Sequence, residues 1–264
     1  MLIDFHVHVF PDQLAKKAVQ NIFQITKNRP STDGTLSDTL FHMDQWKVDH
    51  AVIQHIATKP TQQSPVNHWA AQIQSERIFC FGSVYPSSPD ALMEAERIKK
   101  LRLHGIKLHP DYQNFCLDDP NMFPLYDVIC ELGLPVLFHI GHNILDPDHS
   151  YAAPKRLSQV AQQFPKLTII AAHMGGAIMW DQVEEHLLEK DLYLDTSLSA
   201  RFCPPEQYAR MIRQHDSQRI LFASDSPWSS AQEEFQFLQA LSLPSATMDR
   251  ICYQNAQEIL GISK

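Results

Sequence analysis

Cysteine is scarce and unpatterned in this 264-residue chain: Cys80, Cys116, Cys130, Cys203 and Cys252 are odd in number, widely spaced and form no CxxC. That argues against a disulfide framework or a thiolate zinc site and fits a reducing compartment. Glycine is scarce too, with eight residues, and no glycine-rich loop follows the first strand-like run, which weakens the case for an open dinucleotide-binding sheet. Positive charge is in deficit, 22 Lys and Arg against 30 Asp and Glu, for a net charge of −8. Nucleic acid and anionic membranes reward clustered Lys and Arg, so neither is an expected partner. An anionic small substrate held by a few local cations stays open. No stretch approaches the ~18 consecutive apolar residues of a transmembrane helix. The opening MLIDFHVHVF lacks a basic leader and a cleavage site, and reads as a strand rather than a signal peptide. The expectation is a soluble cytoplasmic protein with a small-molecule substrate; a homodimer is expected on general frequency alone.

What the chain does have is periodicity. Short apolar runs recur at Leu2–His8, Ala51–Ile56, Ile78–Val84, Gly105–His109, Pro135–Ile140, Leu167–His173, Leu192–Thr196 and Ile220–Asp225. Several are apolar nearly throughout, as strands covered on both faces read. Helical patterns separate the later ones: one opening at Ser88-Pro89-Asp90, then Pro120–Leu132 stopped by Gly133, Pro154–Phe164, Met179–Glu189 and Pro204–His215, with two more near 231–241 and 247–260. Eight strand–helix repeats in a length close to the typical ~250 residues predict an α/β fold, a single-domain (β/α)8 TIM barrel. The stretch from Phe10 to about Ser37 is too long for a barrel loop. It carries a helical pattern at about Gln13–Thr26 and a polar run Asn28–Gly34, and is expected to be an insertion over the barrel mouth.

The polar residues fall where a barrel does its chemistry. Strand 1 ends His6-Val7-His8, and residues two apart on a strand share a side. Strand 4 carries Lys107 and ends at His109, strand 5 ends at His139, strand 6 at His173 and strand 8 at Asp225. The C-terminal strand ends of a barrel meet at one face, so five imidazoles, a lysine and a carboxylate share a space roughly 10 Å across. A lysine in an apolar strand is unusual because an unpaired buried ammonium is costly. Neutral imidazoles plus a carboxylate suit a catalytic metal site with an open position. Arg201, Tyr112, His142, Asn143 and Trp228 follow strands 7, 4, 5 and 8 and are candidates to line the mouth and bind substrate. Asp195 is a candidate to fix a histidine tautomer, and Gly175-Gly176 to let the backbone approach the site. His42, His50, His68, His104, His149, His186 and His215 read as ordinary surface or loop residues.

DFHVH at 4–8, GIKLHPDYQ at 105–113, PVLFHIG at 135–141, IIAAHMGG at 169–176, LYLDTS at 192–197, ASDSPW at 223–228 and the closing CYQNAQEIL together resemble the amidohydrolase superfamily, specifically its amidohydrolase-2 branch. The resemblance covers nearly the whole chain. It implies one divalent metal ion, usually zinc with manganese as an alternative, held by His6, His8, His139 and Asp225. It implies that Asp225 moves a proton between water and leaving group, and that His173 acts on substrate or water. Lys107 is expected to hold a substrate carboxylate or carbonyl; in binuclear relatives the equivalent lysine is carboxylated and bridges two metals, with His139 and His173 holding the second. Two activities follow. The first is hydrolysis of a C–N or C–O bond in an amide, lactone or cyclic ester; the second is a lyase reaction, nonoxidative decarboxylation or hydration of a small unsaturated or aromatic acid.

Overall fold

The computed structural model describes residues 1–142 and 151–262; Asn143 and His149 lie outside the described residues. Eight parallel strands form one sheet in sequence order: β1 (Ile3–Val7), β2 (His50–Gln54), β3 (Ile78–Ser83), β4 (Gly105–Leu108), β5 (Val136–Phe138), β6 (Ile169–Ala171), β7 (Tyr193–Asp195) and β8 (Ile220–Leu221). Except for His50, every strand residue is buried, which is why the runs read as apolar throughout rather than alternating. The sheet closes beyond the formal end of β8. Phe5 N donates to Phe222 O (2.9 Å), Asp225 N to His6 O (2.8 Å) and His8 N to Ser226 O (2.6 Å). With helices in the connections, the fold is the expected (β/α)8 barrel. No described helix is long and apolar enough to cross a membrane.

The insertion holds a helix at Asp12–Thr26, ended by Lys27 in the left-handed conformation. The polar run after it docks on the segment following β8. Asn28 Nδ2 donates to Trp228 O (2.6 Å), Ser31 N to Pro227 O (2.8 Å) and Ser31 Oγ to Ser229 O (2.6 Å). The run is therefore tied to the loop that carries Asp225, at the barrel's C-terminal rim. Two helices, Leu36–Trp46 and Gln63–Ile73, go beyond the sequence expectation. The first is announced locally, since Thr35 caps it by accepting from Asp38 N (3.2 Å). The expected last helix is broken into Ser245–Asp249 and Asn255–Leu260 by a π-helical turn at Arg250–Gln254. There Asn255 Nδ2 donates to Ser217 O and Ile220 O, anchoring the helix to β8.

One glycine is demanded by the connections above the sheet. Gly141 bridges to Ala177 with φ +106°, and a Cβ there would lie 2.2 Å from Ala177 N. Both the backbone conformation and the contact exclude a side chain. Gly141→Ala is therefore expected to cost about 3 kcal/mol, a fall in Tm on the order of 10 °C, read by thermal unfolding.

Candidate active site at the C-terminal ends of the strands

Three of the residues named from the sequence converge tightly. His8 Nε2 lies 3.2 Å from both His6 Nε2 and Asp225 Oδ1, and His6 Nε2 lies 3.5 Å from Asp225 Oδ1. The outer nitrogens of both rings are already engaged. His6 Nδ1 donates to Asp195 Oδ2 (2.8 Å), and His8 Nδ1 to the carbonyl of Gln54 (2.8 Å). Carboxylate and carbonyl oxygens only accept, so in the neutral rings both Nε2 atoms present lone pairs toward each other and toward Asp225. With Asp225 ionised, the three are converging acceptors that share no proton of their own, an arrangement a divalent cation accommodates. His6, His8 and Asp225 have ligand atoms all within 4.8 Å of one another.

His139, the fourth ligand named from the sequence, stands apart from this trio. Its Nδ1 lies 3.0 Å from His173 Nε2, and its Nε2 lies 3.3 Å from His142 O. His109 is sandwiched between Tyr112 and His139, the ring centroids 3.7 and 4.0 Å away and the planes nearly parallel. The stack fixes the orientation of His139. Lys107 Nζ reaches the same space, 3.3 Å from His6 Nε2. It is the only Lys or Arg among the buried described residues.

Burial sets the charge states. Desolvation, aided by the Lys107 ammonium, holds His6 well below the usual imidazole range and pulls His139 down to about 3; desolvation and neighbouring imidazoles do the same for His173 and His109. Neutral imidazoles are the ligating and proton-accepting form. Desolvation lowers Lys107 to about 8, against the pull of Asp195 and Asp225, and raises Asp225, against His8 and Lys107.

Two of these residues carry backbone strain. His173 (φ +61°) and Asp225 (φ +66°) occupy the left-handed region, which side-chain-bearing residues rarely adopt. Each is held there by hydrogen bonds. His173 N donates to Asp195 Oδ1 (2.9 Å) and its carbonyl accepts from Trp180 Nε1 (3.1 Å). Asp225 N donates to His6 O, and Asp225 O accepts from Trp228 N (2.7 Å). Strain maintained in this way clusters at functional sites.

The other candidates separate. Tyr112 lies in the stack, with burial pushing its phenol up to about 12. His142 and Trp228 are partly exposed at the rim, held by backbone bonds to Ala177 and Asp225. Arg201 is also at the rim but is paired with Glu233 (2.9 Å). Gly175 has φ +81° and packs on Leu194, so the glycine pair serves the turn after His173. One expectation is corrected: His215 is no surface residue but is 3% exposed, its ring nitrogens 2.8 and 3.0 Å from the carbonyls of Leu188 and Leu192, just before β7.

Sequence reasoning missed four polar residues at this end. Asp4 accepts from His6 N and from the backbone and hydroxyl of Ser224, and desolvation raises its carboxyl to about 7. Ser197 is two residues beyond Asp195 and fully buried against it. His55 directly follows β2, buried with an unpartnered Nε2, its ring 5.3 Å from that of Trp69. Its position at a strand end was the available signal. Glu234 sits on the helix after β8, where its carboxyl accepts from Ser199 N (3.1 Å), Ala200 N (2.9 Å) and Ser229 Oγ (2.7 Å) and so joins the loops after β7 and β8.

Desolvation raises Glu234 to about 8 from 4.5. Between these values the folded chain keeps a proton that the unfolded chain releases, so this group makes stability fall as pH rises from about 4.5 to 8. Glu234→Gln removes that dependence. The Tm of the wild type relative to the variant is expected to drop over this window and then level off; parallel curves would contradict it.

The amidohydrolase family model matches residues 3–262. No curated protein sequence matches the chain. Among solved structures, the 5-carboxyvanillate decarboxylase LigW of Sphingomonas paucimobilis superposes with a TM-score of 0.77 at 19% identity, over 99% of each chain. A dihydroxybenzoic acid decarboxylase from a Polaromonas species, solved with bound manganese, gives 0.74 at 16% over 100% of this chain and 97% of its own. A probable 2-pyrone-4,6-dicarboxylic acid hydrolase from Acinetobacter baumannii gives 0.72 at 17% over 99% of each. At these identities the likeness is one of fold. The family follows from the sequence match, which runs from β1 to the final helix and takes in every histidine and aspartate of the site: the chain belongs to the amidohydrolase family.

Proposed function

We propose that the protein is a metal-dependent enzyme acting on a small carboxylic acid, and that its reaction is nonoxidative decarboxylation. The observation that carries the metal is the convergence of His6 Nε2, His8 Nε2 and Asp225 Oδ1 with the far nitrogens of both rings engaged. His139 is the candidate fourth ligand, and manganese or zinc the candidate ion, manganese being present in one of the structural neighbours. A bound divalent ion supplies Lewis acidity, polarising a substrate oxygen.

Charge balance supports the acid substrate. Asp195 and Asp225 are buried with Lys107 as the only buried cation among the described residues, while burial raises Asp4 to about 7. Two carboxylates and one ammonium leave one negative charge, and a divalent ion turns this into one positive charge. A monocarboxylate substrate brings the set of Asp195, Asp225, Lys107 and the ion to neutrality, which lowers the cost of burying it. Lys107 is suited to hold that carboxylate. In this reading His173 Nε2 and Asp225 move a proton to or from the reacting carbon, and the Tyr112–His109–His139 stack forms a wall of the mouth. Names of the neighbours lean the same way, two being decarboxylases of aromatic acids.

Hydrolysis of a lactone, cyclic ester or amide is the second reading, supported by the pyrone hydrolase neighbour. In it Lys107 holds a carboxylate away from the scissile bond, and Asp225 takes the proton from water. The manganese- or zinc-loaded protein, assayed against hydroxybenzoates and against lactones and N-acyl compounds, separates the two. Release of CO2 from an aromatic acid without ring opening is expected. Turnover confined to lactones or amides would overturn the decarboxylase reading.

A further inference from the structure

Ser197 lies at the centre of a hydrogen-bond chain whose protons can each be assigned. Its Oγ is bonded to Asp195 Oδ1, lies 2.9 Å from His173 Nδ1 and 3.3 Å from His6 Nδ1, and is fully buried. A serine hydroxyl has one proton. Asp195 Oδ1 only accepts and also receives the backbone N–H groups of His173 and Ser197, so the Ser197 proton points to it. What Ser197 offers His173 is then a lone pair, and His173 Nδ1 is the donor. The same carboxylate takes the Nδ1 proton of His6 on its other oxygen. Protons run in one direction, from His173 through Ser197 to Asp195, with His6 joining from the far side.

We propose that Ser197 is a positioning residue that locks His173 in its Nδ1–H tautomer, leaving Nε2 as an unprotonated acceptor facing the site. The ring has no other partner for Nδ1 among the described residues, and the backbone of His173 is pinned at both its N–H and its carbonyl. With Nδ1 engaged by Ser197, Nε2 is the nitrogen 3.0 Å from His139 Nδ1, so the single proton of the neutral His139 ring sits on Nδ1 in this assignment and the longer 3.3 Å approach of its Nε2 to His142 O carries none. A ring of the opposite tautomer would present a proton there and could not accept one from a substrate or from water. Ser197 thus acts through His173 without touching substrate. Ser197 lies two residues beyond the end of β7, in the turn that follows it, and that turn brings its hydroxyl back onto Asp195, His6 and His173.

The role in turnover rests on the proposed function; the tautomer does not. The test is long-range 1H–15N correlation spectroscopy of 15N-histidine-labelled, metal-free protein, with His173→Asn used to assign the His173 signals. Wild type and Ser197→Thr, which keeps the hydroxyl, are expected to show the Nδ1–H form. Ser197→Ala is expected to show a mixture or the Nε2–H form. An Nε2–H ring in the wild type, or an unchanged Nδ1–H ring in Ser197→Ala, would overturn the proposal. The wild-type spectrum decides it even where the alanine variant folds poorly. Metal content of the same preparations is scored separately, so a chain that binds no metal yet shows the Nδ1–H ring refutes the metal reading and leaves the lock standing. Once a substrate is in hand, Ser197→Ala is expected to lower kcat about 10–100-fold with KM little changed, and Ser197→Thr to restore most of it.

Discussion

His8→Ala is expected to lower divalent-metal affinity at least about 100-fold and to abolish turnover, while the fold survives. The asymmetry among the ligands makes His8 the right probe. His6 is 1% exposed and is threaded into the Asp195 network, so its loss disturbs the barrel interior as well as the trio. The His8 side chain is 12% exposed, and outside the trio its ring gives up the bond to Gln54 O. Removing it takes one of three converging acceptors and leaves the other two in place. Outer partners alone change metal affinity about 10–100-fold, and a direct ligand exceeds that. Competition with a chromophoric chelator measures the affinity, and far-ultraviolet circular dichroism checks the fold. Affinity within threefold of the wild type would remove His8 from the ligand set.

Asp195→Ala is expected to be the most damaging single change to both stability and site, costing on the order of 3–5 kcal/mol. Asp195 is fully buried and accepts from His6 Nδ1, His173 N, Ser197 N and Ser197 Oγ. Truncation strands four donors in the interior, two of them backbone N–H groups that no side-chain movement can satisfy. It also releases His173, whose left-handed backbone is held partly by that bond, and frees His6 to turn its ring. Asp195→Asn separates the effects. It keeps an oxygen for the backbone donors on the Oδ1 side and replaces the acceptor for His6 with an amide. Stability is expected to recover in part while metal affinity stays low. Chemical denaturation and the chelator assay read the two quantities; equal recovery of both would contradict the assignment.

The barrel was legible in the sequence because burial on both faces gives β1 through β8 a signature that does not depend on long-range detail. Boundaries and register were not. Beyond Leu221 the chain closes the barrel through isolated bonds, at Phe222, Asp225 and Ser226, that no local pattern encodes. Helices Leu36–Trp46 and Gln63–Ile73 end at Lys47 and Gln74 without the glycine or proline stop that made later helices readable. In the site, His6, His8, His173, Lys107 and Asp225 were legible because chemistry-bearing residues at the ends of strands must meet in this fold. His139 was legible as a neighbour, yet its ring engages His173 and His142 rather than the trio, a matter of side-chain orientation that sequence does not carry. Asp195 was anticipated as a tautomer-fixing partner, and its bond to His6 Nδ1 fits that role. Ser197, Asp4 and Glu234 were not anticipated, because a buried serine or carboxylate reads as ordinary until its partners are known. His215 was misread for the same reason, since its partners are carbonyls far away in sequence.

The proposed chemistry requires a divalent ion at this end of the barrel. The direct measurement is elemental analysis of the purified wild-type chain and of Asp225→Ala, before and after incubation with manganese or zinc. About one ion per wild-type chain, lost in the variant, is the predicted result. Two ions per wild-type chain would extend the site to His139 and His173 with Lys107 as a carboxylated bridge. No ion in the wild type, and none taken up on incubation, would rule out a metal site formed by His6, His8 and Asp225.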